Sequence, residues 1–281
     1  MTSFRKLLVK CRLCGRESQQ AVLLSSNTYG GPPDLDGRPT EMLRQTMGAW
    51  VRRCPACGYC AMHLSHDHEY DLPVAPMAGH DGVWVAPEEP PPDSPARTTS
   101  EERHALLLSI VRSERYTAQL HDRGLPELAN SFLCTSLIDQ AEGRQVDATF
   151  AALHAAWTCD DASLPEQARS CRLRATELIL SDSRGSQSFG IRLRSRPALL
   201  ADLFRRCGDF DSASATCREA LAADPEVFLR NVLGFQIQLI DRHDTAAHSL
   251  GEAILSSPEA WGIDQSSRSE APKRGWRFWR H

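Results

Sequence analysis

Two short cysteine pairs are the part of this chain whose residue types and spacing most directly indicate chemistry. Cys11 and Cys14 form the first pair, Cys54 and Cys57 form the second, and a glycine follows each pair. Two residues between the thiols bring both sulfur atoms onto one tight turn, and the glycine permits a positive φ that lets backbone N–H groups point at the sulfurs. Zn²⁺ binds four thiolates tetrahedrally at about 2.3 Å in closed structural sites. The spacing therefore predicts one structural zinc ion held by these four cysteines.

The competing interpretations of the cysteine pairs are a redox pair, ordinary buried thiols and a disulfide framework. No signal peptide is expected before Cys11, because residues 1–10 are basic and contain too short an apolar run. A disulfide framework is therefore disfavoured. Five more cysteines are scattered through helical sequence, as is typical of buried free thiols in a reducing cytoplasm: Cys134, Cys159, Cys171, Cys207 and Cys217.

Further metal-binding residue types follow the second cysteine pair, at Cys60, His63, His66 and His68. Histidine and cysteine ligate transition metals, but this histidine spacing matches no site with a known mechanism. We favour the interpretation that these histidines lie in a polar segment that leads out of the cysteine-containing region. A second metal site, or a histidine exchanged into the first, stays open.

Two carboxylates lie close together in a loop between the cysteine pairs, at Asp34 and Asp36. The loop, residues 27–39, is dense in turn-forming residues and poor in apolar ones. Hydrogen bonds that close turns or cap helices are the favoured role for both carboxylates. Contact with a cation or a ligand is the alternative.

One run in the C-terminal half contains the residue types of a nucleophilic site, namely His154, Cys159 and Asp160. Residues i and i+5 of one helix point to different faces, so a base at 154 would not reach a nucleophile at 159. Trp157 is interpreted as a core residue, and Asp160 with Asp161 as a polar helix end. The sequence therefore predicts no catalytic residue.

The elements that must position the cysteines are short strands. Residues 21–25 and 48–53 have the composition of strands, and they predict a sheet of about three short strands around the metal, with Trp50 as its apolar plug. Residues 71–100 are rich in Pro, Gly, Asp and Glu and predict a linker. The predicted domains are a zinc ribbon at 1–70, this linker at 71–100, a helical domain at 101–262 and a flexible tail at 263–281.

Helical periodicity dominates the chain after the linker. Thr99 and Glu102 predict a capping box, and further helix starts are expected at Ser163 with Glu166 and at Asp224. The hypothesis is a stack of at least three helical hairpins, and a non-repeating helical bundle is the alternative.

The hairpin prediction depends on small and turn-forming residues that recur along the chain. Gly208 is placed at a turn, with Ala213 and Ala220 as close-packing positions, in the pattern of a tetratricopeptide hairpin. A shift of 34 residues places Arg242 at a turn and Ala247 in a small position. Pro258 falls near the end of that copy, and an earlier, weaker copy has Gly143 at its turn with Ala148, Ala152 and Ala155 as close-packing residues. The predicted fold class is α+β and multidomain: a small N-terminal β zinc ribbon followed by an all-α, tetratricopeptide-like helical-hairpin domain.

The charge of the chain is distributed unevenly. Its 281 residues are 41% hydrophobic and 24% charged, with a net charge of −4. Residues 1–60 carry +5, residues 61–264 carry −13 and residues 265–281 carry +4. No run approaches the ~18 apolar residues that a membrane span needs, which excludes a membrane protein. An acidic body disfavours nucleic-acid binding by the whole chain.

Two basic segments leave partner interactions open. Residues 271–281 interleave arginine with aromatic residues and could contact an anionic membrane surface, a partner groove or nucleic acid, or form a flexible end. The arginines of the ribbon predict a basic face for nucleic acid, a solvated face, or contacts with the chain's own acidic helices: Arg12, Arg16, Arg38, Arg44, Arg52 and Arg53.

Several of these motifs together resemble the bacterial domain-of-unknown-function 2225 family. The resemblance is carried by C-R-L-C-G, the loop at 31–39, C-P-A-C-G-Y-C, the segment Tyr116–Leu120 and H-A-A-W-T-C-D-D, and it covers about residues 8–60 and 100–260. It implies a cytoplasmic, zinc-binding protein with a helical-repeat region, and it supplies no established activity.

Three functions are compatible with these patterns. The favoured one is a non-enzymatic, zinc-binding adaptor or scaffold whose helical-repeat domain recognises protein or peptide partners. The first alternative is a nucleic-acid-associated regulator that uses the basic ribbon face. The second alternative is a metal-dependent enzyme that uses the region from His63 to His68.

Overall fold

The computed structural model describes residues 2–26, 30–65, 99–182 and 196–256. The strands are β1 (Ser3–Lys10), β2 (Glu17–Ser25), β3 (Arg52–Arg53) and β4 (Cys60–Ala61), with a 3₁₀ helix at Met47–Ala49. The helices are α1 (Glu41–Arg44), α2 (Ser100–Val111), α3 (Glu114–Leu120), α4 (Glu127–Ala141), α5 (Gln145–Asp161), α6 (Pro165–Ser181), α7 (Arg196–Arg206), α8 (Phe210–Ala222), α9 (Val227–Asp241) and α10 (Leu250–Ser256). The order of elements agrees with small N-terminal strands followed by an all-α region.

The strands form two separate antiparallel hairpins. β1 pairs with β2, and β3 pairs with β4, each as a two-stranded sheet. The predicted strand at 21–25 is therefore confirmed as part of β2, whereas its partner β1 was not predicted. The expectation of one sheet with about three short strands is wrong.

The segment predicted as a strand at 48–53 is mostly a turn. The backbone N–H of Trp50 donates to the carbonyl of Met47 at 3.0 Å, and its indole Nε1–H donates to Thr46 Oγ1 at 2.8 Å. These local bonds favour a 3₁₀ turn, so the strand is limited to Arg52–Arg53. Trp50 is 6% exposed, which confirms its prediction as a buried plug.

Four helix ends share one turn geometry. A residue with positive φ follows α4, α5, α7 and α9, at Gly143 (73°), Ser163 (57°), Gly208 (78°) and His243 (53°). The next residue in each case donates its N–H to the carbonyl five positions back, which is the Schellman arrangement. Because the connections are short, α4 with α5, α5 with α6, and α7 with α8 form helical hairpins. Turns at Gly143 and Gly208 are confirmed.

The third predicted hairpin copy differs from the structure. The left-handed residue is His243 instead of Arg242, and Ala247 is exposed in the connection before α10, so its predicted packing role is wrong. The buried Arg205 guanidinium donates to the carbonyls of Asp244 and Ala246 at 2.5 and 3.0 Å. These bonds keep the connection from continuing as helix. Pro258 lies outside the described residues.

The predicted helix starts have mixed outcomes. The capping box of Thr99 and Glu102 is confirmed at the start of α2. Ser163 does not cap α6, because it is the left-handed residue after α5 and Pro165 begins the next helix. Asp224 also has positive φ, at 50°, and α9 begins at Val227.

A continuous apolar core joins the strand region to the helices. It contains Trp50 and Tyr59 from the N-terminal part, Tyr116 from α3, and Leu153 and Trp157 from α5. A second core joins α7 to α10. Four of the predicted close-packing residues in α5 and α8 are fully buried: Ala148, Ala152, Ala155 and Ala213. The fifth, Ala220, is only half-buried and packs against the second core.

Part of the predicted organisation lies outside the described residues. This holds for residues 71–98 of the linker and for the tail at 263–281, and the domain boundaries therefore stay a prediction. Within the described ranges, no helix combines the length and apolar character needed to cross a bilayer.

Candidate metal centre

Each cysteine pair occupies the turn of one β-hairpin, and the two turns have the same backbone geometry. The N–H of the first cysteine donates to the carbonyl five residues later, at 2.9 Å in the first turn and 2.8 Å in the second. The N–H of the glycine donates to the carbonyl of the first cysteine, at 2.8 and 2.9 Å. Gly15 and Gly58 have φ values of 71° and 75°. Only a residue without Cβ takes this conformation without strain, which explains the glycine after each pair.

The structure brings the four predicted cysteines together. Their sulfur atoms all lie within 4.8 Å of one another. Cys11 Sγ is 3.8 Å from Cys57 Sγ, and Cys14 Sγ is 3.6 Å from Cys54 Sγ. A tetrahedron with metal–sulfur bonds of about 2.3 Å has edges of about 3.8 Å, so these separations match a tetrahedral thiolate site. The donor set could therefore hold a metal ion such as zinc.

Burial raises the pKa values of these thiols, and hydrogen bonds from backbone N–H groups lower them. Burial raises the pKa of Cys11, although the N–H groups of Cys14 and Leu13 oppose it. Burial also raises the pKa of Cys54, but the N–H groups of Cys57 and Ala56, together with hydrogen bonds from the Cys57 and Cys14 thiols, lower that pKa overall. Four thiolates at this distance repel one another, and a divalent cation would remove that repulsion.

The second cysteine turn is docked on α3. Tyr116 Oη donates to the carbonyl of Gly58 at 3.0 Å and accepts the N–H of Cys60 at 3.0 Å. Leu120 packs so closely that a Cβ at position 58 would lie 2.5 Å from its Cδ2 atom. Glycine is therefore needed at position 58 for two reasons: its φ is positive, and α3 leaves no space for a Cβ atom.

The other predicted metal-binding residues stand apart from the four-cysteine cluster. Among the described residues, the cluster contains the four cysteines alone. Cys60 is fully buried and its Sγ donates to the carbonyl of Gly58 at 3.3 Å. His63 is described and is not in the cluster, whereas His66 and His68 lie outside the described residues.

Asp36 is a buried carboxylate that connects the N-terminal loop to two helices. The expected turn hydrogen bond is present, since Oδ1 accepts the N–H of Arg38 at 3.1 Å. The other oxygen, Oδ2, accepts Trp157 Nε1–H at 2.9 Å and forms an ion pair with Arg206 Nη1 at 2.7 Å. Burial would raise the pKa of Asp36, but the guanidinium groups of Arg206 and Arg172 hold it below its usual range. The carboxylate therefore stays ionised.

Asp34, two residues earlier, has a different environment. Its Oδ2 accepts from Arg44 Nη2 at 2.8 Å. Burial and the nearby Asp36 charge raise the pKa of Asp34 to about 6, while Arg44 acts in the opposite direction. The pKa values of the two carboxylates are thus shifted in opposite directions although they share one loop.

The loop around these carboxylates, residues 32–38, lies against the C-terminal helices, and we call it the docked loop. The Leu35 N–H donates to the carbonyl of His248 at 2.8 Å, and the Leu250 N–H donates to the carbonyl of Pro33 at 2.9 Å. Leu35 is 6% exposed and belongs to the core of α7–α10. Gly251 provides the space for Pro32, because a Cβ there would lie 2.7 Å from the proline Cγ.

His154, Cys159 and Asp160 contact different elements. The His154 ring lies 5.1 Å from Trp50 and 5.0 Å from Phe132, measured between centroids. Cys159 is fully buried, and a hydrogen bond from Cys171 of α6 lowers its pKa. Asp160 forms ion pairs with Arg206, at 3.0 Å, and with Arg172. The three residues are not arranged as nucleophile, base and orienting group.

Most of the basic residues predicted to form a ribbon face have partners inside the chain. Arg38 pairs with Asp161 of α5, and Arg53 pairs with Glu127 of α4 at 3.3 Å. Arg44 pairs with Asp34, as described above, and the Arg12 guanidinium lies 5.2 Å from the centroid of Tyr59. Arg52 is 7% exposed, while Arg16 is exposed.

Sequence reasoning missed the helical residues that complete this region. The sequence patterns assign Tyr116 and Leu120 no role at the cysteine turns, and they do not single out Arg206. The sequence signal for Arg206 is its position beside a second arginine at the end of an apolar helix. In the structure its side chain is 7% exposed. No local pattern links it to Asp36, which is 170 residues away.

Comparisons with protein-family models, with curated proteins and with solved structures found no match to this chain.

Proposed function

We propose that this protein is a non-enzymatic, zinc-binding adaptor whose helical region recognises protein or peptide partners. One Zn²⁺ per chain is held by Cys11, Cys14, Cys54 and Cys57. The support for a structural role is that four thiolates fill the tetrahedral shell and leave no position for a substrate or an activated water. The metal would fix the two hairpin turns, and the recognition would belong to the helices.

The observation that carries this proposal is the way the helices hold the docked loop. The turn at residues 34–38 pairs through its main chain with residues 248–250, in one antiparallel bridge between Asp34 and Ser249. The Leu35 side chain packs into the apolar core of the C-terminal helices, and the Asp36 carboxylate contacts Arg206 and Trp157. These are the contacts by which helical-repeat surfaces hold peptides, here made within one chain.

The nucleic-acid alternative is less well supported. Binding to phosphates needs arginines that are free to reach them. Arg38, Arg44 and Arg53 form ion pairs within the chain, and Arg12 lies over an aromatic ring. Two of these arginines, Arg38 and Arg53, pair with acidic residues of the helices. Such contacts are one of the three roles that the sequence leaves open for them.

Three narrower assignments belong to the same proposal. We place the chain in the bacterial domain-of-unknown-function 2225 family, on the strength of the cysteine motifs and the Asp-Leu-Asp loop. We assign the helical hairpins to the tetratricopeptide type, since a glycine turn and buried alanines recur in them. We propose a cytoplasmic location, because none of the ten cysteines forms a disulfide.

The test is cross-linking of the full-length, zinc-loaded protein in a cell lysate, followed by mass spectrometry with and without nuclease. We expect nuclease-resistant cross-links that join partner proteins to residues of α2–α9. Cross-links that disappear after nuclease treatment and map to the ribbon arginines would favour the nucleic-acid alternative. Absence of any specific partner would contradict the adaptor proposal.

A further inference from the structure

A shallow groove on the helical region lies apart from the metal centre and from the docked loop. It has two hollows, of about 390 and 420 Å³. Leu133 of α4 lines the first hollow, and Leu137, Gln140 and Ala141 of the same helix line the second. These positions recur at helical spacing, so the hollows follow one face of α4 over about 12 Å. The hollows therefore lie along one face of α4, and their lining combines apolar and polar side chains.

Two arginines line this groove, one in each hollow. Arg115, on α3, lines one hollow, and Arg174, on α6, lines the other. Arg174 Nη2 donates to Gln140 Oε1 at 3.1 Å, which places it where the hollows meet. Burial lowers the pKa of Arg174, and the Arg115 charge lowers it further. The two guanidinium groups thus line neighbouring hollows.

Neither arginine has an acidic partner within ion-pair distance in the described ranges 2–26, 30–65, 99–182 and 196–256. Arg174 is half-buried, and its other hydrogen bond runs to the neutral Ser136 Oγ at 3.3 Å. Glu177, one turn further along α6, acts on it only at longer range. Asp122 is the carboxylate among the lining residues, and it accepts the N–H of Gly124 at 2.8 Å. A partly buried, unpaired guanidinium is unfavourable until an anion joins it.

We propose that this groove binds an acidic peptide segment of a partner protein. A carboxylate of the peptide lies between Arg115 and Arg174, and an apolar neighbour rests on Leu133 and Leu137. Guanidinium groups form paired, charge-assisted hydrogen bonds with carboxylates, which gives both affinity and orientation. The groove stands out electrostatically, because the surrounding part of the chain, residues 61–264, has a net charge of −13. This inference rests on the proposed adaptor function and names the ligand class of its free surface.

The test is selection from a peptide library displayed on phage, against the full-length, zinc-loaded chain. The variants are the wild type, R115Q/R174Q and R218Q. Arg218 is the matched control, since it is an exposed arginine of α8 whose guanidinium contacts only Ser214 in the described structure. Zinc content and thermal unfolding by circular dichroism establish that each variant is folded. If R115Q/R174Q is unfolded, the single R115Q variant replaces it, because the Arg115 side chain is exposed.

We expect the wild type and R218Q to select peptides enriched in Asp or Glu next to apolar residues. R115Q/R174Q should lose that enrichment, and the selected peptides should bind it at least tenfold more weakly. Selected peptides that lack acidic enrichment, or that bind R115Q/R174Q as tightly as the wild type, would overturn the groove assignment and leave the adaptor proposal standing. Failure of the wild type to select any peptide would count against both.

Discussion

Asp36 is a fully buried carboxylate whose charge is balanced by a helix far along the chain. Replacing it with asparagine keeps the shape but leaves Arg206 and Trp157 facing an amide. Removal of one partner from a buried ion pair costs about 3–5 kcal/mol when the other charge is left alone. Because Arg206 keeps Asp160 as a second partner, D36N should lower the free energy of unfolding by up to that amount. Urea unfolding followed by circular dichroism measures the change.

The matched control for D36N is E127Q, which removes the same kind of charge from an exposed pair. The Glu127 side chain is 82% exposed, and its partner Arg53 is 3.3 Å away. Exposed ion pairs contribute about 0–1 kcal/mol, so E127Q should change the free energy of unfolding by less than about 1 kcal/mol. Equal effects of the two variants would show that Asp36 is not held as described.

The raised pKa of Asp34 predicts that the stability of the fold depends on pH. Its pKa is raised from the ordinary 3.8 to about 6 in the folded chain. The folded state therefore binds this proton more tightly than the unfolded state, and protonation of Asp34 stabilises the fold. Its contribution to the free energy of unfolding should rise as the pH falls from 7.5 through 6 to 5.5.

The comparison that isolates Asp34 is wild type against D34N at both pH values. Histidines and the other carboxylates titrate in both chains, so their effects cancel in the difference. Between pH 7.5 and 5.5, the wild type should gain stability relative to D34N. Parallel pH profiles for the two chains would contradict the raised pKa.

The sequence predicts the role of the individual cysteines. It predicts only part of the role of the loop carboxylates. The cysteine pairs are local, since each lies within one turn whose glycine is also local. The turn hydrogen bond of Asp36 is local as well. Its partners Trp157 and Arg206 lie 121 and 170 residues away, and only the folded chain brings them to the loop.

Among the elements, the two cysteine turns allow a direct comparison of a glycine packed against a helix with a glycine that has open space around it. Gly15 and Gly58 have nearly the same φ, but a Cβ at 15 would meet its nearest atom at 4.0 Å and one at 58 would lie 2.5 Å from Leu120. G15A should cost about 1 kcal/mol, from the positive φ alone. G58A should cost about 1–3 kcal/mol more, because α3 must move away.

The measurement for the glycine pair is urea unfolding of the zinc-loaded variants. The clash at position 58 has a specific signature, since L120A should recover part of the loss caused by G58A and none of the loss caused by G15A. Equal destabilisation by G58A and G15A would contradict the packing of α3 against the second turn.

The predictions of turns and helix caps succeed where interactions between neighbouring residues determine the structure. Glycine turns at 143 and 208 and the capping box at Thr99 depend on a few adjacent residues, and all three are confirmed. The strand predicted at 48–53 fails because Thr46 and Met47 offer Trp50 local bonds that close a 3₁₀ turn. Ala247 fails because Arg205, more than forty residues earlier, binds the carbonyl of Ala246.

For the whole molecule, the shared core implies that the metal centre and the first helices are coupled. The second cysteine turn contacts Tyr116 and Leu120 of α3, whereas α9 belongs to a separate core. Removal of the metal with a chelator should therefore speed amide hydrogen exchange at least tenfold in β3, β4 and α3, with little change in α9. Unchanged exchange in α3 would show that the turns and the helices are independent.

The central claim is that four sulfur atoms from two distant turns share one metal ion, and X-ray absorption at the zinc edge of the purified protein tests it most directly. The account predicts one zinc per chain with four sulfur neighbours at about 2.3 Å. The C54S/C57S variant should lose the ion. A protein without bound metal, a shell containing nitrogen or oxygen, or full zinc retention by C54S/C57S would contradict the account.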